Sequence, residues 1–412
     1  MVKNNINNEK THSSTLTFTA IALFYFFEAI QFGYFNVLAP SFIKTGVYDN
    51  HQIAALSSAY MYGIIFGLIP VGLIDRFSIR KILLWSILGS VIGAFLLFFC
   101  EQYYLRWIAR FICGFFGGAF SFVGGIRIVA LLFPHRFTYY LGLFLSAGTL
   151  GGLICLYPLL IAIQYFGVTS AMAIVAFFGL LVMIFNIFYL HPKEDHVAKK
   201  IASTGSLKNW ITIIRNTRNW LDCTMVILLD TPVSILGTLW GVVILMDVFH
   251  LSDVMSTWIM MAFFFGMMIG YPVCGMLADK CSDSKWIVFI GSFVSLLIVV
   301  LMLFDHTLNT ITLFLLFLGL GFFNSCQSLG FTWLTKNMRP DLIGRNSAFN
   351  SMLFMGTNGG FKQFSAYLLS LTPLLGHSSG NNLLFLIGIC MLIATVYVLF
   401  REKILLLIPR SY

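Results

Sequence analysis

The sequence predicts an all-α membrane protein with twelve transmembrane helices in two six-helix bundles. Three observations carry that prediction. Of 412 residues, 59% are apolar and only 10% are Asp, Glu, Lys or Arg, against about 25% charged in soluble domains. The apolar residues fall in runs of the roughly 20 residues a helix needs to cross the hydrocarbon core. A short charged loop also recurs at corresponding places in the two halves of the chain. Too little polar surface remains to clothe a water-soluble body. That excludes a soluble enzyme, a nucleic-acid-binding protein, a disordered chain and a secreted disulfide scaffold. The eight cysteines form no CxxC pair and lie mostly within apolar runs, as small packing residues do.

In chain order, residues 1–15 are polar and Asn-rich, without the charged head, apolar core and cleavage site of a signal peptide. They read as a disordered cytoplasmic tail. Spans follow at 16–39, 52–74, 82–100, 104–132, 138–164 and 168–190, which form the first bundle over 16–190. A charged linker occupies 191–221. The second bundle, 222–404, has spans at 222–247, 254–277, 286–304, 310–333, 347–371 and 382–400, and a tail covers 405–412. With the N-terminus inside, 20 of the 25 basic residues fall in cytoplasmic segments, leaving Lys44, Arg106, Arg110, Arg127 and Lys362 elsewhere. The positive-inside rule therefore places both termini in the cytoplasm, and the net charge of +9 needs no anionic partner.

The repeated loop is Asp75-Arg76-Phe77-Ser78-Ile79-Arg80-Lys81 after the second span and Asp279-Lys280-Cys281-Ser282-Asp283-Ser284-Lys285 after the eighth. Two six-span bundles related by a parallel repeat match the plan of the major facilitator fold. The residues Gly275-Met276-Leu277-Ala278-Asp279-Lys280 resemble that superfamily's loop signature. The first copy, Gly72 to Ser78, is one residue short of it, and both copies carry Ser where the family usually has Gly. The fourth span, with Arg110, spaced glycines from Gly114 to Gly118, and Pro134 at its end, is similar to the family's fourth helix. The fifth span has Gly148 to Gly152 but lacks the Gly-Pro pair of the antiporter signature, a lean toward import. The stretches Leu23 to Glu28, Pro70 to Leu73, Thr238 to Val242, Gly266 to Pro272 and Phe349 to Ser351 resemble the phagosomal nutrient transporter group of intracellular bacteria. That resemblance implies a bacterial inner-membrane importer of amino acids or nucleosides, with some relatives handling siderophores.

An ionisable group inside a span is costly, so each is a functional candidate. Glu28 lies about 18 Å into the first span at 1.5 Å per residue, near mid-membrane; it reads as a proton or substrate-amine site, or as a buried structural acid. Gln31 shares its helix face, and Tyr34 follows. Arg110 offers a bidentate fork to Glu28 or to a substrate carboxylate, or forms a fixed bundle-stabilising pair. Arg127 reads as a snorkelling structural residue. Asp230, followed by Thr231-Pro232, sits where the seventh helix is expected to bend; it is a second proton-coupling candidate or a partner of Lys362. Trp240 could stack on substrate or pack. Asn324 and Gln327 in the tenth span, and Lys362 and Gln363 in the eleventh, are candidate substrate contacts or interhelical polar packing. Asp75, Arg76, Arg80, Asp279 and Lys280 are candidate gating charges, since in the family these loops hold one face closed.

Together these features imply a monomeric secondary transporter importing a small polar nutrient by proton-coupled alternating access. It would need no cofactor beyond the proton gradient, no metal and no nucleic acid, its partners being the solute and the bilayer. Export or import of a siderophore or drug on the same fold is the competing expectation. An enzyme is not expected, because the chain has no HExxH and no His pair on one apolar helix face. Reporters fused at the two termini are expected to lie on the cytoplasmic face; a signal from the opposite face would overturn the predicted orientation.

Overall fold

The computed structural model describes residues 2–69, 78–133, 137–191, 207–281, 283–336, 343–373 and 378–407. Among them the regular structure is helical throughout. In chain order come α1 (Val2–Gly33), α2 (Phe35–Thr45), α3 (Asn50–Leu68), α4 (Ile79–Phe99), α5 (Tyr103–Ile112), α6 (Ala119–Leu132), α7 (Phe137–Ile154) and α8 (Tyr157–Tyr189). Then come α9 (Leu207–Ile214), α10 (Thr217–Leu229), α11 (Gly241–Val248), α12 (Asp253–Lys280), α13 (Lys285–Phe304), α14 (Thr310–Asn324), α15 (Gln327–Lys336), α16 (Ile343–Ser370) and α17 (Gly380–Leu407). Two stretches are π-helical, Cys113–Gly118 between α5 and α6 and Val233–Trp240 between α10 and α11.

Eight helical stretches among the described residues are long and apolar enough to cross a membrane, and Thr217–Leu229 with Val233–Val248 forms a further span bent by 45°. One of the eight, Tyr140–Tyr189, covers two predicted spans and is broken at Gly167, whose φ of 80° is open to glycine at little cost. The less apolar α3 and α16 lie where the second and eleventh spans are predicted. A 21-residue helix such as α4 is about 32 Å long, enough for the hydrocarbon core.

Two boundaries differ from the sequence expectation. The polar start is not an unstructured tail, because α1 begins at Val2; once a helix is nucleated, each added residue gains a hydrogen bond. The linker is also shorter than predicted. It contains α9, and the seventh span starts at Thr217, where the Asn216 side chain accepts from the Asn219 N–H as an N-cap. Similar caps start α12 at Ser252 and α14 at Asn309.

The chain forms two compact units: Met1–Phe32 with Ala59–Gly152 and Ala162–Thr204, and Gly33–Ser58 with Leu153–Ile161 and Gly205–Tyr412. Inside each, the sequence repeat returns as a packing repeat. In the first unit, α3 meets the fourth span backbone to backbone: a Cβ at Gly63 would strike the Phe111 carbonyl, and one at Gly114 would strike that of Tyr60. In the second, a Cβ at Gly266 of α12 would strike the Leu318 carbonyl and one at Gly321 of α14 that of Phe263. Where no hydrophobic effect drives helices together, such close approach supplies the dispersion contact.

The second unit is further tied by polar pairs. Asn219 and Asn350 exchange two amide hydrogen bonds of 3.0 Å. Arg401 makes a bidentate pair of 2.8 Å bonds with Asp222, which also accepts from Tyr397. The Arg401 guanidinium lies 4.5 Å over the Trp333 ring. Asp222→Leu is expected to lower the thermal stability of the detergent-solubilised protein by about 3 kcal/mol, the low end for breaking a buried pair. The double variant Asp222→Leu/Arg401→Leu should recover part of that loss.

Candidate functional site

The first unit centres its buried polar groups on Glu28. This residue is 2% exposed on α1, and three helices converge on its carboxylate. Tyr60 of α3 donates its hydroxyl to Oε2 at 2.8 Å, and Ser90 of α4 donates to Oε1 at 2.5 Å. Gln31, one turn along α1, donates Nε2 to Ser90 Oγ at 2.8 Å and to Glu28 Oε1 at 3.3 Å. The fourth span closes the cluster. Arg110, fully buried, donates Nη1 to the Gln31 carbonyl at 2.8 Å and holds its guanidinium 4.7 Å over the Tyr60 ring. The π-helical turn brings Gly117 against the Glu28 carboxylate, where any Cβ would collide with it. π-Bulges often sit at functional sites because they displace backbone locally.

Glu28, Gln31 and Arg110 are thus brought together, with Tyr60 between acid and guanidinium. Arg110 sits within electrostatic reach of Glu28. Tyr60 and Ser90 were not among the candidates from sequence. A single neutral Tyr or Ser in an apolar span carries no signal of its own until the fold places it on a carboxylate.

The remaining candidates lie in the second unit. Tyr34 is buried at the break between α1 and α2, with its ring 5.2 Å from that of Phe35. Asp230 ends α10 at the bend before Val233–Trp240 and accepts Asn358 Nδ2 at 3.0 Å, with Gln327 as a second side-chain partner. Lys362 of α16 donates to Ser57 Oγ at 2.9 Å and lies close enough for its charge to act on Asp230. Trp240 is wholly buried and commits its indole N–H to Ser365 at 2.7 Å. Gln327 and Asn324 are buried beside the break between α14 and α15, and Gln363 is half-buried. Asn358 was missed, although an Asn inside a span is a readable signal.

Of the gating candidates, Arg80 donates to the Ile187 carbonyl at 3.0 Å, joining α4 to the end of α8 within the first unit. Lys280 is exposed at the end of α12. Asp75 and Arg76 lie outside the described residues, as does the side chain of Asp279. Among the described residues no three His, Cys, Asp or Glu side chains group in a way that could hold a metal.

One further residue organises the second unit. Asn36 of α2 is fully buried and serves the π-helical stretch of the seventh span. Its Nδ2 donates to the carbonyls of Leu236 and Gly237 at 2.7 and 2.9 Å, and its Oδ1 accepts the Val242 N–H at 3.0 Å. A π-turn breaks the regular i→i−4 ladder, and Asn36 occupies backbone groups at and beyond that break.

The family model described as Major Facilitator Superfamily matches residues 21–361. AraJ of Escherichia coli (strain K12), which carries the name of a transporter, is 24% identical over 292 residues, covering 70% of this chain and 71% of its own. A crystal structure of a variant of the nucleoside transporter NupG superposes with a TM-score of 0.72 at 13% identity, covering 93% of this chain and 99% of that one. At that identity the likeness is one of fold.

Asn36→Ala leaves three buried backbone groups without their partner. It is expected to lower the unfolding free energy by about 1–3 kcal/mol, read as a fall in thermal midpoint of the purified protein. Asn36→Asp keeps the acceptor for Val242 and loses both donors, so its midpoint should lie no higher than that of the wild type.

Proposed function

That this chain belongs to the major facilitator superfamily is the premise from which we propose its activity: import of a small polar organic nutrient, an amino acid or nucleoside, by proton-coupled alternating access. The resemblance to the phagosomal nutrient transporter group supports the substrate class. The charge distribution supports an inner-membrane protein with both termini cytoplasmic, and nothing in the transport reading requires more than a monomer.

The observation that carries the coupling is the surroundings of Glu28. Its partners are two hydroxyls and an amide. A hydroxyl both donates and accepts, so Tyr60 and Ser90 can bond to a carboxylate and, after rotation, to a carboxylic acid. Both protonation states are therefore held without rebuilding the helices. Arg110 is kept beside the acid by the Gln31 carbonyl and the Tyr60 ring, not by Glu28 alone. Protonation of Glu28 thus removes a counter-charge from Arg110 without releasing it, which biases the bundle between two electrostatic states. In the second unit, Asp230, Gln327, Asn324 and Lys362 are the substrate-side groups, with Tyr34, Trp240 and Gln363 supporting that surface.

Reconstituted into vesicles, the wild type is expected to accumulate solute in proportion to an inwardly directed proton gradient. Uptake should rise as the outer pH falls, because protonated Glu28 is the loaded form. Glu28→Gln should lose gradient-driven accumulation by an order of magnitude or more and keep solute exchange at equal pH. Full accumulation by that variant would defeat the coupling assignment.

A further inference from the structure

The two hydroxyls on the Glu28 carboxylate are not equivalent. Ser90 Oγ accepts Gln31 Nε2 at 2.8 Å, so its own hydrogen is the one directed at Glu28 Oε1. Tyr60 has a choice. Its hydroxyl oxygen stands 2.8 Å from Glu28 Oε2 and 3.4 Å from the Glu28 backbone carbonyl, two acceptors on one residue. The ring that carries this hydroxyl is held by other contacts. Tyr60 is buried, the Arg110 guanidinium lies 4.7 Å over its face, and the Phe32 ring meets it edge-on at 6.1 Å. The Tyr60 carbonyl lies against Gly114 and its hydroxyl against Gly118, so closely that a Cβ at either glycine would collide. The hydroxyl hydrogen can therefore turn between two acceptors while the ring stays in place.

Protonation decides which acceptor it takes. A bond to an ionised oxygen is about twice as strong as a neutral one, so Tyr60 donates to Oε2 while Glu28 is a carboxylate. A proton arriving on Oε2 reverses that bond. The new carboxyl O–H donates to Tyr60 Oη, and the Tyr60 hydrogen turns to the Glu28 carbonyl. One O–H bond forms on Glu28, none breaks on Tyr60, and the carboxylate loses its charge. Among the described residues, Arg110 and Cys113 of the fourth span are the charged and titratable groups facing this pair. Arg110 donates to the Gln31 carbonyl and Cys113 to that of Ser90.

The carbonyl that receives the hydrogen lies near the end of α1. In a regular helix it accepts the N–H four residues on, here that of Phe32. Immediately beyond, α1 ends at Gly33 and α2 begins at Phe35. The chain also passes from the first unit to the second between Phe32 and Gly33. A side-chain group inserted into the i→i−4 ladder is one of the causes of a helix kink.

We propose that Tyr60 is a positioning residue that carries protonation of Glu28 to the α1–α2 break, its hydroxyl moving from the Glu28 carboxylate to the Glu28 backbone carbonyl. The inference rests on the coupling role given to Glu28 above. Ser90 is the fixed donor of the pair, so loss of the two hydroxyls has different effects.

The test uses the full-length protein in vesicles, as wild type, Tyr60→Phe, Ser90→Ala and Glu28→Gln. Acid-minus-neutral infrared difference spectra of the wild type should show a carboxylic acid band that Glu28→Gln lacks. A tyrosine band should accompany it and be absent from both Tyr60→Phe and Glu28→Gln. Amide hydrogen exchange over residues 30–34, corrected for the chemical rate, should speed up on acidification by about fivefold, as for the net loss of one hydrogen bond. Ser90→Ala should keep that response, and Tyr60→Phe, which retains the ring and loses only the hydroxyl, should lose it. The wild-type tyrosine band, confirmed with ring-deuterated tyrosine, keeps the test open should Tyr60→Phe not fold. A carboxyl band without a tyrosine band overturns the proposal and leaves Glu28 as the proton carrier. So does an unchanged exchange response in Tyr60→Phe, or its equal loss in Ser90→Ala. A wild-type spectrum without the carboxyl band defeats the coupling assignment itself, and this proposal with it.

Discussion

The lack of water in the bilayer core is the constraint on which the rest of this structure depends. Every backbone N–H and carbonyl there needs a partner from the protein, so a helix can be opened only where another element supplies the missing bonds. The seventh span shows the consequence. Its π-helical stretch, Val233–Trp240, is served by Asn36 from α2, which occupies two carbonyls and an N–H at once. Trp240 and Ser365 then fix the far side of the same stretch. The bend that presents Asp230 therefore rests on residues a whole bundle away in sequence.

The two halves carry the same packing scheme and different chemistry. Glycines in corresponding helices meet carbonyls in corresponding partners, Gly63 with Phe111 and Gly266 with Leu318, Gly114 with Tyr60 and Gly321 with Phe263. On that common frame the first unit builds a carboxylate whose bonds are closed by hydroxyls. The second builds a carboxylate whose amide partners keep unpaired oxygens. A closed set of reversible donors suits a proton, which adds no volume. An open set suits a solute that brings its own hydrogen bonds.

Much of the frame was legible beforehand because its signals are long or repeated. Apolar runs of about 20 residues mark spans, and the loop at Asp75 and Asp279 marks the two halves. Glu28, Arg110, Asp230 and Lys362 stood out since charge inside a span is rare. Their partners did not. Tyr60, Ser90 and Ser57 are ordinary residues for a membrane helix, and their importance lies in contacts made across 32, 62 and 305 positions of sequence. Helix ends were also blurred: nothing in the polar start showed that α1 would run through it, nor that α9 would form inside the linker.

By itself the sequence determined that this chain spans a membrane many times, in two related halves, with a handful of charges left inside. Composition and periodicity suffice for that, since hydrocarbon tolerates so little else. Only the tertiary structure decided what those charges meet. It set Tyr60 between Glu28 and Arg110, turned Trp240 into a packed core residue, and left the amides around Asp230 half satisfied. Hydrogen bonding depends on distance and direction between helices remote in sequence, and no local pattern encodes either.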